Sequence, residues 1–176
     1  MSRLPLLSAC ALAALVTPLL ACTPSAHLEP AENAPDPVCA RMLQRLPREL
    51  VGLPRISTDA QATMAFGTPD APVTIRCGLT PPPPTTDRCL SVSKTDEDAG
   101  VDWINPEAGS PLLPEHAPSD AWVFLTYGRT PALEVVIPVE SGIAQPTAAL
   151  LAVEPAATLV EAERTCVGAT DLIGED

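Results

Sequence analysis

Six cysteines are distributed along the 176 residues of this chain, and the four in its later part most constrain the fold. These four are Cys39, Cys77, Cys89 and Cys166. In an exported protein an even set of cysteines indicates disulfide bridges, here two, for which three pairings are possible. No two cysteines have the C-x-x-C spacing, which argues against a zinc site and against a thioredoxin-type redox pair.

Export is indicated by the first part of the chain. A basic residue, Arg3, precedes an apolar run over residues 4–20, which is too short for a comfortable membrane span. The run ends in Leu19-Leu20-Ala21-Cys22, the order of a bacterial lipobox. We therefore predict a lipoprotein signal peptide over residues 1–21 and lipidation of Cys22 by diacylglycerol and palmitate. The alternative is an ordinary secretory signal followed by a chance cysteine.

The rest of the chain predicts one domain with short extensions. Residues 22–35 are small, polar and proline-containing, which is typical of a tether. Residues 36–166 are long enough for a single domain, and residues 167–176 predict a flexible tail. The net charge is −12, and loss of the signal, with Arg3 and no acid, makes it more negative. This charge argues against nucleic acid as a partner and leaves the lipid on Cys22 as the contact with the membrane.

Two helices are predicted near the ends of this domain. Asp36 is placed as an N-cap before Pro37, and apolar side chains then recur at helical spacing up to Leu46. That stripe places Cys39 on the buried face. Helical sequence is predicted again from Pro146 to Cys166, with Pro155 interrupting or restarting the helix, and Cys166 would also lie on an apolar stripe.

Six segments between the helices predict strands. They are residues 63–66, 73–77, 89–92, 101–104, 122–127 and 133–137. The last two flank a turn and predict the strongest hairpin of the chain. The expected fold is α+β, an antiparallel sheet of about four to six strands with both helices packed on one face. From this arrangement we predict disulfides Cys39–Cys166, between the helices, and Cys77–Cys89, between two strands.

Several short motifs occur in the order of a known family. They include Ala65-Phe66-Gly67-Thr68-Pro69, Ile75-Arg76-Cys77-Gly78, Val101-Asp102-Trp103, Thr126-Tyr127-Gly128-Arg129 and the run from Leu133 to Pro138. With the lipobox and the cysteines, this order resembles an actinobacterial domain-of-unknown-function family, family 3515, of small secreted proteins and lipoproteins. The resemblance covers most of residues 38–166. It implies a location and a fold but no activity.

Arg76 and Arg129 are the leading candidates for ligand binding. Each lies within two positions of a glycine in a matched motif, and paired guanidinium groups can hold a carboxylate or phosphate. The alternative is structural: each arginine bridges to a nearby acid such as Glu134, or to loop carbonyls.

No metal or cofactor is predicted. Asp96, Asp98, Asp102 and Glu107 have oxygen-ligand spacing of a calcium loop, but Val101 occupies the position where that loop needs glycine. A solvated acidic turn is therefore favoured. The histidines of the mature chain are His27, in the predicted tether, and His116, in a proline-rich loop with no nucleophile paired to it in the sequence.

Three function classes remain open after this. We favour a non-catalytic binding or accessory module, anchored by lipid at the extracytoplasmic face of the cell membrane, with an unknown protein or small molecule as partner. The second class is an assembly partner of an envelope complex, which would expose an apolar patch. The third is a cell-envelope enzyme, which would need a polar pocket with convergent titratable groups.

Overall fold

The computed structural model describes residues 25–95 and 100–167, which form two α-helices, one 3-10 turn (Val139–Ser141) and nine strands. The helices are α1 (Pro37–Arg45) and α2 (Pro146–Ala157). The strands are β1 (Ser25–Ala26), β2 (Glu49–Leu50), β3 (Leu53–Thr58), β4 (Thr63–Phe66), β5 (Val73–Leu79), β6 (Arg88–Val92), β7 (Val101–Asn105), β8 (Trp122–Thr126) and β9 (Ala132–Ile137).

The described strands form one sheet in the order β1-β3-β4-β5-β9-β8-β7-β6, and β2 pairs with β3 beside this path. Every pairing is antiparallel except that of β1 with β3. The α+β class is confirmed, and the six predicted strands correspond to β4 through β9. The sheet exceeds the predicted four to six strands because β1, β2 and β3 also join it.

One face of the sheet carries both helices. Along β5 and β9, alternate side chains point to that face because the side-chain period of a strand is two. Val73, Ile75, Leu133, Val135 and Ile137 are all buried there with the apolar sides of α1 and α2. This confirms the prediction that the two helices pack on one face.

Helix α1 follows its sequence signals. Asp36 is the N-cap, its carboxylate accepts a hydrogen bond from the Val38 N–H at 2.8 Å, and Pro37 begins the helix. Cys39 and Met42 are fully buried.

Helix α2 is shorter than predicted. It ends at Ala157, after Pro155, whose missing N–H removes a hydrogen bond from the last turn. The chain then turns away, and the Glu163 N–H donates to the Gly128 carbonyl at 2.7 Å. Cys166 therefore lies on an extended segment, outside any helical stripe.

The bridges are Cys39–Cys77 and Cys89–Cys166, with Cα atoms 5.5 and 5.8 Å apart. The predicted pairs Cys39–Cys166 and Cys77–Cys89 are wrong. Strands β5 and β6 are four positions apart, roughly 19 Å at the spacing of paired strands, whereas bridged Cα atoms lie within about 7 Å. Cys77 instead faces α1, where Cys39 is buried.

The other bridge lies on the face without helices. Cys89 contacts the small apolar cluster of Ile104, Leu125 and Tyr127 on this face. The extended segment after α2 brings Cys166 to the same place, where its N–H donates to the Asp102 carboxylate at 2.7 Å.

The predicted tether is also wrong from residue 25 onward. Ser25 is in register with Ser57 of β3, and the Asn33 N–H donates to the Gly78 carbonyl at 2.8 Å. Gly78 has a φ of 107°, and a Cβ there would lie 2.5 Å from the Ala34 nitrogen. The N-terminal segment is thus a packed part of the domain. Residues 22–24 of the predicted tether, the predicted signal and residues 168–176 lie outside the described residues.

Candidate functional site

A groove of about 760 Å³ lies on the face of the sheet that has no helices. Its floor includes Thr74 of β5 and Val136 of β9, which are register partners. Its walls come from four separate parts of the chain: residues 27–29, 70–72, 116–120 and 138–140. A volume of this size is typical of ligand sites.

The groove combines apolar walls with an acidic rim. Ala71, Pro72, Pro118 and Pro138 contribute apolar surface. The carboxylates come from Glu29, Asp70, Asp120 and Glu140. Two imidazoles, those of His27 and His116, complete the polar lining, and the described lining contains neither lysine nor arginine. The groove therefore has a negative potential.

An ion-pair cluster stands beside this groove. Glu134 of β9 is 1% exposed, and both its carboxylate oxygens accept hydrogen bonds from Arg76 of β5, at 2.7 and 3.0 Å. The Nε2 atom of His116 lies 3.1 Å from the same carboxylate. Because His116 also lines the groove, this contact fixes one wall of the groove to the sheet.

The cluster shifts the titration of Glu134. Burial alone would raise the pKa of this carboxyl. Hydrogen bonds from His116 and Arg76, together with the Arg76 charge, lower the pKa by more than burial raises it. The pKa of Glu134 consequently lies below its ordinary value of 4.5. Glu134 is thus an ionised structural anchor at neutral pH.

The structure does not bring the two candidate arginines to one site. Arg76 is paired with Glu134, and its Nη1 also donates to the Glu29 carbonyl at 3.2 Å. Arg129, after β8, is 7% exposed and donates to the Val160 carbonyl. Both contacts match the structural alternative that the sequence left open.

Arg129 lines a second, smaller cavity of about 340 Å³ with Asp102 and residues of the segment after α2. Desolvation lowers the pKa of Arg129, although attraction to Asp102 opposes that effect. The Arg129 Nε has no hydrogen-bond partner among the described residues.

The described half of the calcium-loop pattern does not form a metal site. Asp102 accepts the Cys166 N–H, and the Glu107 N–H donates to the Asp87 carboxylate at 3.1 Å. Asp96 and Asp98 lie outside the described residues. Within residues 25–95 and 100–167 no group of three or more histidine, cysteine or acidic side chains is placed to hold a metal ion.

Sequence reasoning missed the groove itself. Four of its carboxylates are isolated in the sequence, and His27 was assigned to a solvated tether. In the structure, the Leu28 N–H donates to Asp59 at 2.9 Å, and the His27 imidazole contacts the same carboxylate. Glu134 did carry a signal, since it is the one charged residue in an otherwise apolar strand.

The fold and the groove define a class of small α+β module, in which one mostly antiparallel sheet is crosslinked by two disulfides and has an open groove on its helix-free face. Residues 5–162 match the family model described as Protein of unknown function (DUF3515), and the chain belongs to this family. No curated protein and no solved structure matches the chain. Among the described helices, none has the length and apolar character needed to cross a membrane.

Proposed function

We propose that this protein is a lipid-anchored, non-catalytic binding module at the outer face of the plasma membrane. The observation that carries the proposal is the groove of about 760 Å³, two of whose walls, residues 27–29 and 116–120, are held in place by hydrogen bonds and an ion pair. Walls that are already ordered reduce the conformational entropy that a ligand would otherwise cost on binding.

The location is supported by the lipobox at Leu19-Leu20-Ala21-Cys22 and by the two disulfides. Disulfides persist in oxidising compartments outside the cytoplasm. A diacylated cysteine adds about 0.8 kcal/mol of membrane affinity for each buried methylene, so two chains hold a protein stably.

Binding is favoured over catalysis by the chemistry of the groove. The lining offers Thr74, carboxylates and two imidazoles, but His27 contacts Asp59 and His116 contacts Glu134. No described hydrogen bond pairs Thr74 with either imidazole, so the nucleophile–base pair that covalent catalysis needs is not formed among the described residues. The His116 imidazole faces a carboxylate that Arg76 already holds in two places, which suits a structural contact.

Lipidation is tested by replacing Cys22 with Ala and fractionating cells labelled with a fatty acid precursor. We expect the label and stable membrane retention to disappear. The matched control is Cys10→Ala, which alters a cysteine of the predicted signal and should leave both unchanged. Equal labelling of the two variants would contradict the proposed anchor.

The groove is tested by photocrosslinking in intact cells, with a photoreactive side chain at Asp120 or Glu140. The control position is Gln44, an exposed residue of α1 on the helix side of the sheet. We expect discrete products from the two groove positions and none from Gln44. Products of equal yield from all three positions would contradict a binding role for the groove.

A further inference from the structure

We propose that the groove binds a peptide segment that carries lysine or arginine side chains between apolar residues. This inference rests on the proposed binding function and names the ligand of the same groove. It follows from the combination of apolar walls with an acidic rim, and from contacts that hold two of the walls in place without engaging the rim carboxylates.

The groove offers separate surfaces to the two parts of a basic side chain. The methylene stems of lysine and arginine pack on apolar surface while their charged ends remain near water or a carboxylate. Val136, Pro118 and Pro138 supply such a surface, and Glu29, Asp70, Asp120 and Glu140 supply the carboxylates. A ligand that is only charged, or only apolar, would use half of this lining.

Charge complementarity excludes the other obvious occupants. No described lining residue is a lysine or arginine, so phosphate-bearing ligands and anionic lipid headgroups would meet only carboxylates and imidazoles. The chain's own end over residues 168–176 carries three acids and no base, so it would be repelled as well. The overall net charge of −12 would also attract a basic partner from a distance.

The rim is held in place by contacts that do not occupy the groove carboxylates. The backbone of Leu28 is fixed by Asp59, the Glu29 carbonyl accepts from Arg76, and His116 is fixed by Glu134. No described hydrogen bond or ion pair engages the side chains of Glu29, Asp70, Asp120 or Glu140. Their charges therefore remain available to a cationic ligand.

The test uses the full chain in a neutral detergent and fluorescence anisotropy. The probe is a rhodamine-labelled peptide of about six residues in which arginine alternates with leucine, and the matched peptide has glutamate in place of arginine. We expect saturable binding of the arginine peptide and none of the glutamate peptide.

Two double variants separate a site from general attraction. Asp120→Asn with Glu140→Gln removes two rim charges, and Glu49→Gln with Glu107→Gln removes two exposed charges outside the groove. We expect the groove variant to bind the arginine peptide about tenfold more weakly and the control variant to bind within about twofold of the parent. Unchanged urea midpoints would show that both variants are folded.

Three results would overturn the proposal: equal loss in the two double variants, equal binding of the two peptides, or binding of spermine with no binding of the arginine peptide. The last result would indicate a small polyamine ligand. Site-specific crosslinks from Asp120 and Glu140 without peptide binding would leave the binding module in place and refute only the ligand class.

Discussion

At the scale of single residues, Glu134 connects strands β5 and β9 to a wall of the groove. Its strand, β9, lies between β5 and β8, and its side chain is buried on the helix-free face, where an unpaired carboxylate would cost several kcal/mol of desolvation. Arg76 satisfies both oxygens, and His116 makes a further contact to one of them. A loop residue is thereby fixed to a strand by electrostatics rather than by apolar packing.

Glu134→Gln should lower the free energy of unfolding by about 3 kcal/mol, because it leaves the Arg76 guanidinium without its counter-charge. Arg76 is 12% exposed, so water replaces the lost carboxylate poorly. Urea unfolding would show a lower midpoint with an unchanged slope. Glu140→Gln, at an exposed position of the rim, is the control and should change stability by less than about 0.5 kcal/mol. Equal midpoints would show that the pair contributes nothing.

The same pair should make stability depend on pH in a defined direction. The pKa of Glu134 is lower in the folded protein than its ordinary value of 4.5, so the folded state favours the ionised carboxylate. This contribution is complete above that value and is lost as the pH falls through the lower, folded pKa. The stability difference between the parent and Glu134→Gln should therefore be constant above pH 4.5 and shrink as the pH falls below it. Asp59 and Asp87, whose pKa values are also lowered, are common to both proteins and cancel. A difference that grows on acidification would contradict this assignment.

At the scale of elements, the sequence correctly predicted those helices and strands that have a clear local pattern of apolar residues. Strands β4 to β9 have apolar alternation or apolar runs, and α1 has a capping residue and a stripe, so their positions were correct. Strand β3 (Leu53–Thr58) contains Pro54 and is largely exposed, and β1 has only two residues. Strand β1 pairs with β3 from a distant part of the chain, Ser25 with Ser57, which local pattern does not reveal. The other partners of β3, β2 and β4, are close in the chain, and β3 was missed because its own sequence lacks clear apolar alternation.

For the disulfides too, local sequence pattern predicted the orientation of a cysteine but not its partner. The alternation along β5 correctly places Cys77 with Val73 and Ile75 on the apolar face, toward α1. The pairing prediction failed because it needed the order of strands across the sheet and the true end of α2. The groove was not predicted for a similar reason. Its walls are four segments that only the tertiary fold brings together, and His116 contacts Glu134, which is 18 positions away in the chain.

Mild reduction should open Cys89–Cys166 before Cys39–Cys77. Cys39 of α1 and Cys77 of β5 are fully buried between the helix and the sheet, whereas Cys89 and Cys166 are partly exposed. A thiolate must reach a sulfur to attack it, so the exposed bridge reacts first. Timed alkylation with peptide mapping would show modified Cys89 and Cys166 first. Earlier modification of Cys39 and Cys77, or any peptide joining Cys39 to Cys166, would contradict the structure.

At the scale of the whole molecule, β1 determines how far the domain can lie from a lipid on Cys22. Ser25 is paired with Ser57, and three peptide units from Cys22 span at most about 11 Å. The groove begins only two residues later, at His27. If Cys22 is lipidated, the groove must therefore open close to the membrane surface, on the side of the sheet that carries β1.

This geometry predicts an orientation that energy transfer can measure. Ser57 on β3 and Arg88 on β6 are both exposed strand residues, but they lie near opposite edges of the sheet, about 30 Å apart at the spacing of paired strands. With a fluorophore introduced at one or the other position and an acceptor on lipid headgroups, transfer from Ser57 should exceed transfer from Arg88. A flexible glycine-serine insertion of about fifteen residues after Thr23 adds roughly 20 Å of reach and should reduce the difference. Equal transfer from the two positions without the insertion would mean that β1 does not hold that edge of the domain at the membrane.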